Sequence, residues 1–196
     1  MHLRLSHLLS VLLGSCMLIA QGQPPARETV TATINGKKVE IDYGRPSLKG
    51  RNLNDLLSQL PADRMWRAGL NQVTTLTTET DLLIGSKKVS AGKYSLYVHI
   101  PESGDWSLAV NTDPGIELIK IYPKAPAAVA HALWPRLDGY QKNIGDKEVA
   151  RVAMKQGASK SPADLFTVSL TPSKSGAALT MAWGDRMWST ELKTPK

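Results

Sequence analysis

The sequence predicts an all-β fold: a single-domain β-sandwich or partly open barrel with a short helical or irregular insertion near residues 115–147. Several segments alternate apolar and polar residues with a period of two, which is typical of half-buried strands. Turn-forming residues separate these segments at near-regular spacing, as in sandwiches and barrels. The length of 196 residues fits one domain of this kind, and the chain contains no internal repeat.

The first 22 residues predict a secretory signal peptide. "MHLRLSHLLSVLLGSCMLIAQG" begins with Arg4 and no acidic residue, and it stays apolar through Ala20. Small residues at Ala20 and Gly22 then precede a polar segment, as at a signal-peptidase cleavage site. The apolar run is short and interrupted compared with the ~20 residues that cross a bilayer. We therefore expect a periplasmic or secreted protein whose mature chain, residues 23–196, is one domain with no integral membrane span.

Cys16, the one cysteine of the chain, leaves a second interpretation open. "LLGSC" resembles a lipobox, in which the cysteine is lipidated and anchors the protein to a membrane. The apolar residues "MLIA" continue past Cys16, which favours ordinary cleavage. Cleavage beyond Cys16 would leave a mature chain without disulfides, so its stability would come from the hydrophobic core alone.

Strands and one short helix are predicted in the first half of the mature chain. "ETVTATI" (28–34) and "KKVEIDY" (37–43) flank Asn35-Gly36, a strong signal for a two-residue hairpin turn. "LNDLLSQL" (53–60) predicts a short helix or turn, capped by Asn52 or Asn54. Further strands are predicted in "QVTTLTTETDLLIG" (72–85, strand–bend–strand), "KYSLYVHI" (93–100) and "WSLAVNT" (106–112).

The second half is less regular before strands return. "GIELIKIYPKAP" (115–126) begins as a strand, "AAVAHALW" (127–134) has a helical composition, and "PRLDGYQKNIGD" (135–146) predicts a loop. Three later strands are predicted, at residues 148–154, 164–171 and 177–183. Gly184-Asp185 predicts a turn that joins the last of these to "RMWSTEL" in a hairpin.

The amount and the distribution of charge argue against nucleic-acid binding. The net charge is +7, of which Arg4 contributes one, so the mature chain keeps +6. Lysines and arginines are scattered, whereas a nucleic-acid surface clusters them among aromatics, so we expect no nucleic-acid partner. This charge favours solubility and a loose attraction to anionic envelope surfaces.

No catalytic or metal-binding motif stands out. The chain has no G-x-S-x-G nucleophile motif, and only His99 and His131 remain beyond the signal peptide. A zinc site usually takes three or four ligands. We therefore expect no metal and no cofactor, and the sequence favours a protein that is not an enzyme.

Two neighbouring segments form the candidate site. In "IDYGRPSLKGR" (41–51), Pro46 stiffens the backbone and Gly50 frees it again. "WRAGLNQVTTL" (66–76) adds an indole, a guanidinium and an amide. If the two segments meet, they form a polar pocket able to hold a small polar ligand or a glycan. Two aromatic side chains would form its walls, arginines would supply charge-assisted hydrogen bonds, and one amide would orient the ligand. The candidate ligand-binding residues are Tyr43, Arg45, Arg51, Trp66, Arg67 and Asn71.

A purely internal role for the same residues stays open. Arg45 or Arg51 could bond Asp42, Asp63 or loop carbonyls, because buried polar groups in loops require partners. Trp66 would then belong to the core, as we expect for Trp106 and Trp183 from their positions on alternating apolar faces.

Together these segments resemble the DUF2911 family of exported bacterial proteins. The family pattern runs Y-x-R-P-x-x-x-G-R, W-R-x-G-x-N-E-x-T and A-G-x-Y-S-L-F, matched here by "YGRPSLKGR", "WRAGLNQVT" and "AGKYSLY". The match is good over residues 30–112, returns in the C-terminal strands, and is poor over residues 115–147. Gln72 replaces the family's glutamate, which weakens any proposal that needs a carboxylate there. The resemblance implies a β-rich, exported, single-domain protein and implies no activity.

Two hypotheses follow for the function. The first is a non-catalytic binding module of the envelope, for a small polar or glycan ligand or for an envelope protein partner. The alternative is a hydrolase acting on cell-envelope or glycan material, with Asp42 or Asp63 as base; no nucleophile–base pair in the sequence supports it.

Overall fold

The computed structural model describes residues 27–136 and 139–195, so the predicted signal peptide and Cys16 lie outside the described residues. The helices are short: α1 (Leu53–Leu57), α2 (Leu118–Ile121), α3 (Tyr140–Ile144) and a 3₁₀ turn at Gly145–Lys147. The strands are β1 (Arg27–Ile34), β2 (Lys37–Gly44), β3 (Met65–Trp66), β4 (Thr74–Thr78), β5 (Leu82–Ile84), β6 (Lys87–Val89), β7 (Gly92–His99), β8 (Ser107–Asn111), β9 (Ile116–Glu117), β10 (Leu133–Trp134), β11 (Glu148–Ala153), β12 (Lys155–Ser173) and β13 (Gly176–Lys193). Within these ranges no helix is long and apolar enough to cross a membrane.

Two antiparallel sheets pack face to face, as the sequence predicts for an all-β sandwich. The first sheet has the order β1-β2-β4-β7-β8-β11, with β3 also pairing with β7, and the second has the order β12-β13-β5-β6. β9 and β10 form a separate two-stranded sheet. The main core contains Ile41, Leu76 and Val98 from the first sheet and Val168 and Leu192 from the second, all nearly inaccessible to solvent.

The N-terminal hairpin and the first helix form where their local signals predict them. Asn35 (φ +51°) and Gly36 (φ +69°) both take the left-handed conformation that a type I′ turn requires, and Ile34 pairs with Lys37 across it. α1 is capped by Asn52, whose Oδ1 accepts a hydrogen bond from the Asn54 amide at 2.8 Å.

The insertion differs from its predicted local structure. Residues 127–131 form turns rather than a helix, because Leu133–Trp134 of β10 pairs with Ile116–Glu117 of β9. The predicted loop at 135–146 contains α3, which packs on the outer face of the first sheet. There a second apolar cluster buries Met65, Tyr97, Ala109, Tyr140 and Ile144.

The predicted turn at Gly184-Asp185 is wrong. β13 runs without a break from Gly176 to Lys193, and the hairpin with β12 turns where Ser173 pairs with Gly176. Gly184 has φ +62° and lies opposite Ala163, where the pairing with β12 shifts register. Its glycine signal therefore marks a β-bulge, a position where glycine also accommodates the left-handed backbone.

Candidate functional site

The two candidate segments lie side by side at one end of the sandwich. The amide of Leu70 donates a hydrogen bond to the carbonyl oxygen of Gly44 at 3.2 Å. The approach is so close that a Cβ on Gly44 would lie 2.1 Å from the Leu70 carbonyl oxygen. Only glycine fits at this position, so the sequence "DYG" at the end of β2 is what allows the contact.

A change of strand partner along β7 places the second segment. β7 pairs with β4 through Leu96 and with β3 through Val98 and His99, so residues 67–73 leave the sheet beside Tyr97. Ala68 (φ +50°) and Asn71 (φ +63°) turn this excursion with left-handed backbone, which costs roughly 1–2 kcal/mol per non-glycine residue. The Thr74 hydroxyl holds it by donating to the Ala68 carbonyl oxygen at 2.8 Å.

A cleft of about 550 Å³ opens between these segments, α1 and the chain around α3. This volume is in the usual range for small-molecule sites. One wall is aromatic, because Trp66 stacks on Trp183 with ring centroids 5.4 Å apart and planes 13° apart. Leu56, Leu60 and Met65 add apolar surface.

Three of the six candidate residues line this cleft and three do not. Arg51, Trp66 and Arg67 line it. Tyr43, predicted as an aromatic wall, is instead fully buried in the core, because it lies on the inward face of β2 with Val39 and Ile41. Its hydroxyl donates to Glu28 Oε2 at 3.1 Å and accepts from the Val168 amide at 2.9 Å. Arg45 and Asn71 also lie outside the cleft lining.

Internal bonds occupy two of the three candidate arginines. The Nε of Arg45 donates to the Phe166 carbonyl oxygen at 3.3 Å, and its Nη1 lies 2.9 Å from Glu28 Oε2. Arg45 therefore connects the two sheets. Arg51 donates from Nε to the Leu48 carbonyl oxygen at 2.8 Å and from Nη2 to the Ser47 carbonyl oxygen at 3.0 Å. These bonds hold the loop after β2 in place.

Arg67 differs from both. It is half-buried in the cleft wall, and its guanidinium makes no hydrogen bond or ion pair within the part of the chain that the structure describes. Burial lowers the pKa of Arg67, because removal from water disfavours its charged form. Its charge is thus partly desolvated and available to a ligand.

Two further polar residues of the cleft come from distant parts of the chain. Tyr97 is 3% exposed, and its hydroxyl has no hydrogen-bond partner among the described residues. Arg136 Nε is also buried without a hydrogen bond, 3.6 Å from Asp113 Oδ2. Sequence reasoning missed both residues. The one available signal was an aromatic residue on the polar face of "KYSLYVHI"; nothing local marked Arg136.

The carboxylates that sequence reasoning offered as bases are engaged in structural bonds. Asp42 accepts from Arg27 Nε at 2.8 Å and from the Thr29 hydroxyl at 3.1 Å. Asp63 lines the cleft, but its Oδ2 accepts from the Tyr140 amide at 2.7 Å and its Oδ1 from the Met65 amide at 3.3 Å. Across residues 27–136 and 139–195, no group of three or more His, Cys, Asp or Glu side chains could hold a metal ion.

The fold and the cleft define an all-β sandwich with a cleft of small-molecule size at one end. A family model described as a protein of unknown function, DUF2911, matches residues 25–192, and the chain belongs to this family. The match spans the insertion, which by its residues alone had resembled the family poorly. Comparison with curated proteins and with solved structures gave no match.

Proposed function

We propose that this protein is an exported, non-catalytic binding module that holds a small polar ligand in the cleft. The observation that carries the proposal is Arg67, a half-buried guanidinium in the cleft wall that no described residue neutralises. A charge kept in this state costs free energy unless a partner arrives, so it is more typical of a binding site than of a structural ion pair.

The walls support a small ligand. The stacked Trp66 and Trp183 offer an apolar face, and a few polar groups converge beside it, as in most small-molecule sites. Export is part of the proposal because the first 22 residues have the composition of a signal peptide. The mass of the secreted protein tests this point, since cleavage after Ala20 or Gly22 removes a defined segment.

Binding is favoured over hydrolysis by the state of the carboxylates. Asp42 and Asp63 each accept hydrogen bonds on both oxygens from groups that hold the fold together, so a structural role already accounts for both carboxylates. The Asp63 bonds hold the start of α3, which gives that residue a structural role.

A thermal-shift screen of the mature chain against glycans, phosphates and dicarboxylates tests the proposal. Wild type is compared with Arg67→Ala and with the matched control Arg186→Ala, since Arg186 bonds Asn54 at 2.7 Å outside this cleft. A cleft ligand should raise the melting temperature of wild type and of the control by a few degrees and leave Arg67→Ala unmoved.

Two results would contradict the proposal. One is a complete screen in which no compound shifts wild type. The other is a ligand that shifts all three proteins equally, which would place its site elsewhere. Chromatography of any glycan that binds, after long incubation with the protein, would reveal cleavage if the protein were a hydrolase.

A further inference from the structure

Three side-chain groups of the cleft lining, in Arg67, Arg136 and Tyr97, make no hydrogen bond to any residue that the structure describes, and all three can donate one. Arg67 and the Nε of Arg136 carry N–H groups, and guanidinium groups have no acceptor atom. The Tyr97 hydroxyl belongs to the same lining and is buried without a hydrogen bond to any described residue. Burial raises the pKa of Tyr97 to about 12; the negative charge of Asp113 adds to this effect, and the nearby Ser95 hydroxyl and the charge of Arg136 oppose it. The phenol is therefore neutral at pH 7 and able to donate.

The net charge of the residues that line the cleft also favours a ligand that accepts hydrogen bonds. Arg51, Arg67 and Arg136 contribute three positive charges, against one described carboxylate, Asp63, whose oxygens accept backbone amides. Asp113 offsets part of the Arg136 charge, but its Oδ2 already accepts from Lys147 Nζ at 2.8 Å and its Oδ1 from the Gly115 amide at 2.9 Å. The complementary ligand is therefore rich in acceptors and negatively charged.

The apolar wall determines the rest of the ligand. Trp66 is half-buried in the lining and is backed by the stacked ring of Trp183, which is 6% exposed, while Leu56, Leu60 and Met65 supply aliphatic surface. A free inorganic ion would leave this surface wet, whereas an organic body would cover it and gain roughly 25 cal/mol per Å² of buried apolar area.

We propose that the cleft binds an organic anion: a carboxylate or phosphate group bonded by Arg67, Arg136 and the Tyr97 hydroxyl, with an apolar body against Trp66 and Trp183. This inference rests on the proposed function, because it specifies the ligand class of the same cleft. It goes further by assigning a binding role to Tyr97 and Arg136, and by excluding neutral glycans as the preferred ligands.

Matched probes test the anion directly. Binding of phenylacetate is compared with binding of phenylacetamide, which has the same body and a neutral head group, by tryptophan fluorescence and thermal shift. Phenyl phosphate separates the phosphate source from the carboxylate source, and inorganic phosphate measures the head group alone. We expect at least one of the two organic anions to bind tenfold or more tightly than both phenylacetamide and inorganic phosphate.

The key variant is Tyr97→Phe, with Tyr94→Phe as control. Tyr94 lies on the same strand, its hydroxyl donates to the Ser90 carbonyl oxygen at 2.9 Å, and it does not line the cleft. Because a hydrogen bond to a charged group is lost, Tyr97→Phe should weaken anion binding roughly tenfold to a hundredfold. Tyr94→Phe should leave anion binding unchanged.

Several outcomes overturn the inference. Equal binding of the acid and the amide would do so, as would an unchanged affinity in Tyr97→Phe. Anion binding that appears only in Asp138→Asn would show that the carboxylate of Asp138, which follows Arg136 by two residues and lies outside the described part of the chain, already neutralises the cleft. A neutral glycan could raise the melting temperature of wild type but not of Arg67→Ala, with no preference for anions. That result would contradict this inference and leave the proposed function intact.

Discussion

Tyr97 and Tyr140 are buried neighbours that differ in the hydrogen bonding of their hydroxyl groups. This difference predicts how much each hydroxyl contributes to the free energy of unfolding. Both are 3% exposed, and their rings pack edge to face with centroids 4.8 Å apart. The Tyr140 hydroxyl accepts from Asn111 Nδ2 at 2.9 Å and donates to Glu148 Oε2 at 2.8 Å. The Tyr97 hydroxyl has no partner among the described residues. Replacing each tyrosine with phenylalanine removes only the oxygen and keeps the ring packing.

The expected cost follows from these bonds. Tyr140→Phe loses a hydrogen bond to a carboxylate, worth about 1.5–3 kcal/mol, and leaves one N–H of the fully buried Asn111 without its acceptor. That unsatisfied N–H costs about 1–3 kcal/mol more, and near the lower end of these two ranges the total is about 3 kcal/mol. Tyr97→Phe loses no bond and removes an unsatisfied buried oxygen, so the change should be near zero or slightly stabilising. For a domain of this size, about 3 kcal/mol lowers the melting temperature by roughly 6–12 °C.

Thermal denaturation of the mature wild type and the two variants, followed by circular dichroism, measures the difference. Near-equal losses in the two variants would refute the reasoning, because they would show that the Tyr97 hydroxyl is bonded in the folded protein. Its partner would then be Ser95, which faces the same way two residues earlier on β7 and whose hydroxyl donates to the Asn111 carbonyl oxygen at 3.3 Å.

Two further predictions concern the cleft and its surroundings. In a urea titration, Gly44→Ala should lower the free energy of unfolding by about 3 kcal/mol or more, because its Cβ meets the Leu70 carbonyl oxygen. Gly50→Ala is the control: Gly50 has φ +73° and no atom within 4 Å of an added Cβ, so the loss should be only about 1–2 kcal/mol. Equal losses would show that the two segments can move apart to accommodate the Cβ. The raised pKa of Tyr97 predicts stability that is present below pH 10, the pKa of an unfolded tyrosine, and lost as pH rises toward about 12. Between pH 9 and pH 11, wild type should therefore lose about 1.3 kcal/mol more than Tyr97→Phe in urea unfolding, and parallel losses would contradict the pKa shift.

Much of the fold was predictable because its signals are local. The Asn35-Gly36 hairpin needs only two residues with positive φ between alternating strands, and the Asn52 cap needs one side chain beside its own helix. The sequence failed where pairing between distant segments decides the structure. At Gly184 a local turn signal gives way to pairing with β12, and in residues 127–134 a helical composition gives way to the pairing of β10 with β9.

The candidate site shows the same difference between residues that local signals identify and residues that depend on distant segments. Arg51, Trp66 and Arg67 lie in two segments that are close in sequence, so local reasoning brought them together. Tyr97 was visible only as an aromatic on the polar face of its strand, and it is buried because α3, about 40 residues later, covers that face. Period-two alternation predicts which residues share a face, but it does not predict whether a later segment covers that face.

The position of the cleft follows from the change of partner along β7. One continuous strand along this side of β7 would leave no gap beside Tyr97, but the partner of β7 changes from β4 at Leu96 to β3 at Val98, and residues 67–73 leave the sheet there. The sandwich core fixes Trp66, and the left-handed residues Ala68 and Asn71 fix the path that follows it. Tyr97 is held on β7, and Arg67 and Arg136 follow the ends of β3 and β10 by one and two residues, so all three donors are anchored close to strands. They lie in a partly dry recess, where a bond to a charged group is stronger than in water. Such pre-organisation lowers the entropic cost of binding, so this gap beside β7 is where a ligand gains most from few contacts.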